Sequence, residues 1–384
     1  MNASRRRILV TADAVGGVWT YALDLARGLA DRDVGVVLAV LGPAPDPLQR
    51  AVAAAVPGLE LVETGAPLDW TAETEAELDD ASLALARLAR DAGVDSVHAH
   101  APALAAGAAF ERPVAAVNHS CLATWWRAVR GDAPIPDDFA WRIARTARGL
   151  ERADAILAPS RAFAAATAEA YGLDRPGGRG APIAVHNGRA GPERPGDVSD
   201  DGPLEQAAFT AGRLWDDAKG AAVLDEAAGR LPFPVRAAGP LIGPHGAQAR
   251  LSDMVALGGL SGAEMAERYA RRPVFCSAAL YEPFGLAVLE AAQAGCALAL
   301  SDIPTFRELW DGAAVFTPPG DAAALARMLA DLAPDRDRRL ALGRAARERA
   351  SRYTLARMVE GVLDVHRGLW GDGARGLGTG ERAA

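Results

Sequence analysis

Two glutamates eight residues apart frame the segment Tyr281-Glu282-Pro283-Phe284-Gly285-Leu286-Ala287-Val288-Leu289-Glu290. The apolar run before it reads as a strand and the run after it as a helix, so the segment is a strand-to-helix turn. Pro283 suits the first helical position, where its missing N–H has no partner to lose. Gly285 lets a ligand approach the backbone closely. The unpaired amides of a first helical turn, at the positive end of the helix dipole, attract an anion. Eight helical residues rise about 12 Å at about 1.5 Å each. Carboxylates so spaced could flank a diphosphate, one meeting a sugar and the other a ribose. The plainer reading is a capped helix with a charge near each end of its first turns.

Arg213 and Lys219 form a second candidate. Ala211-Gly212-Arg213-Leu214 closes a predicted strand, and Lys219-Gly220 is placed at the opening of the next helix. Ligands of open α/β sheets bind beyond the carboxyl ends of the strands, so two cations there could neutralise a leaving diphosphate. Of the 41 basic residues, Lys219 is the single lysine. A compact ammonium differs from a planar guanidinium, so the exception hints at a site that wants a point charge. Chance, or a solvated loop balanced by Asp216 and Asp217, explains it equally simply.

Gly16-Gly17 follows the first predicted strand, another position where phosphate could approach. The loop lacks G-x-G-x-x-G and the second strand lacks a ribose-binding acid, so it is not a dinucleotide fingerprint. His119 follows Asn118 at the same sheet edge. It could bond a sugar hydroxyl or move a proton, or simply hold its loop. His98 and His100 sit on a strand and read as packed groups. No metal-ligand spacing occurs. The D-x-D pairs at Asp31–Asp33 and Asp335–Asp337 lie at helix ends and read as surface charges.

These residues need elements to place them. Short apolar strands alternate with longer helical stretches across 384 residues, which predicts two domains of parallel sheet with crossover helices. Strands are expected at Ile8–Thr11, Val34–Leu41, Leu59–Val62, Ser96–Ala99, Val114–Asn118, Ala155–Ala158 and Ile183–His186. After a loop-rich stretch they resume at Ala207–Ala211, Val235–Ala238, Met254–Leu257, Val274–Cys276, Ala297–Leu300 and Ala314–Phe316. The expected organisation is a first domain over 1–190, a Gly/Pro-rich linker over 191–204 and a second domain over 205–352. An amphipathic helix over 353–370 and a disordered tail over 371–384 complete it. Capping boxes are expected at Ser261/Glu264 and Thr305/Glu308.

Composition removes several classes. A formal charge of −8 argues against a nucleic-acid partner. Cys121, Cys276 and Cys296, odd in number and far apart, fit reduced cytosolic thiols better than a disulfide framework. The basic start runs into a strand rather than a signal-peptide core, and no spanning helix is expected. Arg142, Arg145, Arg148 and Arg152 share one predicted helix face near Trp125, Trp126 and Trp141. Such a face suits peripheral contact with the inner membrane surface, although most faces of this kind are simply solvated.

The motifs together resemble family 4 of the retaining glycosyltransferases, with its GT-B architecture, over about residues 7–370. The resemblance rests on Glu282-x₇-Glu290 with its Pro-Phe-Gly-Leu core, on Gly16-Gly17, His-Ala-His and Asn118-His119, and on Asn187-Gly188, Arg213 and Lys219. It implies two Rossmann-like domains facing a cleft, with the last helix returning to the first domain. It implies that Arg213 and Lys219 bind the diphosphate of a nucleotide-sugar donor, and that Glu290 holds the ribose. Glu282 and His119 would lie beside the transferred sugar, with amides from Phe284, Gly285, Leu286 and Ala287 nearby and the Gly16-Gly17 loop bordering diphosphate and acceptor. Neither metal nor cofactor is implied. His186 stands where the family often has Pro, and Ser120 where an acid or Gly is commoner, so the acceptor side follows the pattern less well. A GT-B nucleotide-sugar epimerase, a non-catalytic nucleotide-sugar binder and a nicotinamide dehydrogenase are the competing readings. The glutamate pair, the intact cations and the missing fingerprint weigh against them in turn.

Overall fold

The computed structural model describes residues 5–107, 110–175, 178–191, 202, 204–243 and 246–371. The tail after Gly371 and most of the 191–204 linker lie outside the described residues. Two parallel sheets carry the fold. The first contains β1 (Arg7–Asp13), β2 (Gly35–Leu41), β3 (Leu59–Glu63), β4 (Ser96–Ala99), β5 (Val114–Val117), β6 (Ala155–Ala158) and β7 (Ile183–Ala184). Their order is β3-β2-β1-β4-β5-β6-β7. The second contains β8 (Ala208–Ala211), β9 (Val235–Ala238), β10 (Val255–Gly258), β11 (Val274–Ser277), β12 (Leu298–Ser301) and β13 (Val315–Thr317), in the order β10-β9-β8-β11-β12-β13. Every expected strand is present. The first runs on to Asp13, and the seventh stops at Ala184.

Strand order reverses between β1 and β4 in one sheet and between β8 and β11 in the other. Loops after adjacent strands at such a point diverge and leave a crevice. The Gly16-Gly17 loop and His100 therefore border one crevice, and Arg213 and Glu282 the other.

Val10, Ala12, Val36, Leu38 and Val40 pack with the helix Gly17–Ala30 on one face of the first sheet. Leu9, Val37, Ala39 and Leu41 face the helix Glu75–Asp91 on the other. Two further cores, one with Leu224, Leu325 and Leu329 and one with Phe275, Leu289 and Trp310, enclose the second sheet. The last helix, Leu355–Trp370, crosses back and buries Met358, Val359, Val362 and Leu363 in the first domain's core. Gly28 makes that crossing possible, since a Cβ there would stand 2.4 Å from a Val359 methyl.

Three local expectations are corrected. The helix after Glu282 starts at Leu286 with Gly285 as N-cap at φ +91°, so Pro283 lies in the preceding turn. Lys219 ends a 3₁₀ turn, Asp217–Lys219, and the next helix starts at Ala221. The Ser261/Glu264 box forms, but the helix at Thr305 is entered through Ile303 with Pro304 first, and Glu308 turns away to another partner.

Candidate active site

Lys219 and Glu282 are brought together by two loops that zip along each other. Leu280 N–H donates to the Ala218 carbonyl at 2.8 Å. Gly220, at φ +65°, lies so close to the end of β11 that a Cβ would stand 2.2 Å from the Ala278 carbonyl oxygen. This fixes Lys219 Nζ at 2.6 Å from Glu282 Oε2, with both side chains four-fifths or more buried. Arg213 is more open, at 3.2 Å from Asp216 Oδ2 and over the Trp215 ring. Phe284 is buried against Tyr353. The amides of Leu286 and Ala287 lie in the first turn, ahead of any intrahelical acceptor. Glu290, one turn further on, meets Arg189 at 2.9 Å. Burial pushes its carboxyl upward and Arg189 opposes that.

On the facing side, Asp13 Oδ1 accepts the N–H groups of Val15 and Gly16, both at 2.9 Å, and so shapes the Gly16-Gly17 loop. Both glycines are exposed, and a Cβ would meet only Asp13 Oδ1, at 3.8 Å, from Gly16 and nothing within 4 Å from Gly17. His119 packs edge-on to Tyr21 and His100, with ring centroids at 4.7 and 4.9 Å. Burial lowers its pKa to about 4, so the ring is neutral near pH 7. Its Nε2 is buried without a protein partner. His100 continues to His98, and His98 Nδ1 lies 3.1 Å from His366 Nε2 on the returning helix.

Sequence reasoning missed the residues that join the two sides. The Tyr281 hydroxyl contacts Ser120 Oγ, Cys121 N–H and Thr124 Oγ1 at 3.0–3.2 Å, all just after His119. Ser160 Oγ donates to the Pro283 carbonyl. Trp125 Nε1 donates to Asp216, and Arg130 pairs with Asp217. Glu308 caps the helix Arg161–Tyr171 by accepting from the Arg161 and Ala162 amides, and meets His186 Nε2 at 2.7 Å. Arg189 pairs with Asp24 as well as Glu290. Tyr281 stood inside the motif, and Arg189 directly follows Asn187-Gly188. Trp125, Asp216, Asp217 and Glu308 carry other local signals, and none of them points to its partner in the other domain.

The proposed cationic face is not free. Arg145 is buried on Asp79 and the Ala103 carbonyl, Arg148 pairs with Glu75, and Arg142 bonds the Asp69 carbonyl and covers Trp141. Arg152 donates to the Ala106 carbonyl. The spacing was right, but the face packs against the neighbouring helix and turn. Of the D-x-D acids, Asp335 is an N-cap and Asp33 pairs with Arg5. Among the described residues no cluster of three or more acids, histidines or cysteines could hold a metal, and no helix is long and apolar enough to cross a membrane. A cavity of about 210 Å³ beside Asp154 and Arg179 lies at the opposite ends of the strands and takes no part in this cleft.

Residues 15–180 match the Glycosyltransferase Family 4 model, and residues 247–349 match Glycosyl transferases group 1. No curated protein matches the sequence significantly. Among solved structures, sucrose-phosphate synthase from Thermosynechococcus elongatus superposes with a TM-score of 0.75 at 19% identity, covering 96% of this chain and 100% of that one. HepE of Anabaena, solved with UDP-glucose, gives 0.68 at 18% identity, covering 94% and 98%. WaaG, a glycosyltransferase involved in lipopolysaccharide biosynthesis, gives 0.69 at 14%, covering 94% and 100%. With the two family segments on the two sheets that face the cleft, the chain belongs to the family-4-like glycosyltransferases of GT-B fold.

Proposed function

We propose that the protein transfers a sugar from a nucleoside-diphosphate sugar to an acceptor hydroxyl, with retained anomeric configuration and without a metal or cofactor. The observation that carries this is the buried Lys219–Glu282 pair at the strand-order reversal, beside the amides of the Leu286 helix. A diphosphate entering there gives Lys219 a doubly charged partner in place of one carboxylate, and Arg213 adds a second cation at the rim. Glu282 is then released toward the sugar. HepE's binding of UDP and UDP-glucose supports a donor of this class. Uridine and guanosine diphosphate sugars are both compatible.

In the reaction the bond from sugar C1 to the diphosphate oxygen breaks. C1 bonds to the acceptor oxygen on the same face, and the acceptor proton passes to the diphosphate. Arg213, Lys219 and the amides of Gly285, Leu286 and Ala287 stabilise the growing charge on the leaving group through prearranged dipoles. Neutral His119 serves as a hydrogen-bonding group to the sugar rather than as a cation. We place the enzyme in the cytoplasm, with the domain limits given above.

The test is a thermal-shift panel of nucleoside diphosphates and their sugars, with and without EDTA, on wild type and Lys219→Ala. An EDTA-insensitive shift for one base, lost in the variant, is the expected result. No shift with any nucleotide refutes the donor site. The anomeric configuration of the product, read by NMR, checks retention.

A further inference from the structure

Arg189 sits where the chain's two passages between domains meet. Its N–H donates to the Tyr353 carbonyl at 3.3 Å, and its own carbonyl accepts from Leu355 N–H at 3.2 Å. From this fixed backbone the guanidinium reaches two ways. One nitrogen lies 2.8 Å from Asp24 Oδ2 on the helix Gly17–Ala30 of the first domain. Another lies 2.9 Å from Glu290 Oε1 on the helix Leu286–Gln293 of the second. All three side chains are about three-quarters or more buried.

The groups facing Glu290 are few. Arg189 comes from the end of the first domain, Asp24 from that domain's helix Gly17–Ala30, and the Tyr269 hydroxyl stands 3.5 Å from Oε2, at the limit of a hydrogen bond. Arg189 therefore occupies one carboxylate oxygen and leaves the second with spare accepting capacity. A ribose diol offers two O–H donors, and an ionised carboxylate accepts both.

We propose that Arg189 is the positioning residue of the ribose site: it holds the Glu290 carboxylate turned to receive a ribose diol and ties that geometry, through Asp24, to the first domain. The inference rests on the ribose role proposed above for Glu290. A carboxylate this buried takes up a proton when its cation is removed, and it then loses accepting capacity. A planar fork spans two carboxylates where an ammonium cannot, so Arg189→Lys is a partial substitute only.

The test is calorimetric binding of uridine and guanosine diphosphates, and of their 2′,3′-dideoxy counterparts, to the full chain at pH 6.5 and 8.5. The proteins are wild type, Glu290→Ala, Arg189→Gln, Arg189→Lys and Asp24→Asn, each checked for a cooperative unfolding transition. Wild type is expected to prefer the ribonucleotide about tenfold or more, the scale of one hydrogen bond to a charged group. Glu290→Ala loses that preference. Arg189→Gln loses much of it, more at pH 6.5 than at pH 8.5 because a proton on Glu290 removes an acceptor, and Arg189→Lys falls between. Asp24→Asn weakens ribonucleotide binding a few-fold and leaves dideoxynucleotide binding unchanged. Full ribose preference in Arg189→Gln at both pH values, while Glu290→Ala loses it, overturns the role of Arg189 and leaves the ribose site standing. No ribose preference in wild type, or its survival in Glu290→Ala, overturns the ribose reading itself. Equal loss of both nucleotides in folded Arg189→Gln overturns positioning in favour of a purely architectural role.

Discussion

Acid should loosen this protein before carboxylates of ordinary pKa titrate, and the returning helix gives the size of the effect. His366 is fully buried, bonded to Ser96 Oγ at 2.8 Å and to His98 at 3.1 Å. Burial lowers its pKa to about 3, while a histidine in the unfolded chain keeps a value of about 6.5. A lowered histidine is neutral in the fold, so below about pH 6.5 the unfolded chain binds a proton that the native state refuses. Its stabilising contribution is intact above that pH and shrinks as pH falls, levelling near the folded value. At pH 5 the shortfall is about 1.5 units, or about 2 kcal/mol for His366 alone at about 1.4 kcal/mol per unit. His98, His100 and His119 are lowered too and act with the same sign. Asp69 opposes them. Burial, and then Asp13, raises its carboxyl to about 6, so it adds stability as pH falls through that value. His366→Gln removes one titration and keeps a donor and an acceptor toward Ser96 and His98. Urea unfolding at pH 7.5, 6.5, 5.5 and 5.0 should show wild type losing about 2 kcal/mol more than the variant over that range. Parallel profiles would refute the burial argument for His366.

Three further outcomes follow from contacts already described. Lys219→Ala should lower kcat on the order of 10²–10³-fold in steady-state assays, by analogy with losing one prearranged donor; turnover near normal counts against the assignment. Glu308→Ala removes an acceptor for two amides and the partner of His186, and should lower unfolding free energy by about 2 kcal/mol or more. Burial opposes the Glu308 charge, but His186 and the two amides outweigh it and hold the carboxyl below its usual range. The stabilisation is therefore present above about pH 4.5 and lost below it in wild type, while the variant shows no such step. Gly188→Ala places a Cβ 2.1 Å from the Thr354 carbonyl oxygen and should destabilise by about 1–3 kcal/mol in denaturant unfolding.

The strands were legible because parallel strands, covered on both faces, are short unbroken apolar runs such as Gly35–Leu41 and Val114–Val117. The site motifs were legible because they sit in the turns directly after those strands. What failed were inferences in which a local rule met a tertiary competitor. Thr305-x-x-Glu308 has capping-box spacing, yet two amides of another helix and His186 hold Glu308 more firmly than its own helix start does. Arg142, Arg145, Arg148 and Arg152 have the spacing of a free face, yet spacing says nothing of the carboxylates and carbonyls that a neighbouring segment brings against it. Pro283 suits a helix start, but the φ of +91° at Gly285 sets the entry two residues later. Arg189 was invisible because its partners lie 165 residues before it and 101 after it.

Three sets of polar contacts between the domains are made beside the proposed site. Tyr281 and Pro283 flank Glu282 and reach the loop after His119 and Ser160. Asp216 and Asp217 lie between Arg213 and Lys219 and reach Trp125 and Arg130. Arg189 joins Glu290 to the helix that follows Gly16-Gly17. Domain orientation and site geometry are thus set by the same residues. Opening the cleft moves the Glu282 loop away from His119 in the same motion that frees Asp216 and Asp217 from the first domain. A substitution such as Tyr281→Phe, which touches no donor atom in this scheme, should therefore change donor KM and kcat together, as hinge and closure residues do. If only one of them moves, the two domains keep their relationship without Tyr281, and closure is governed elsewhere.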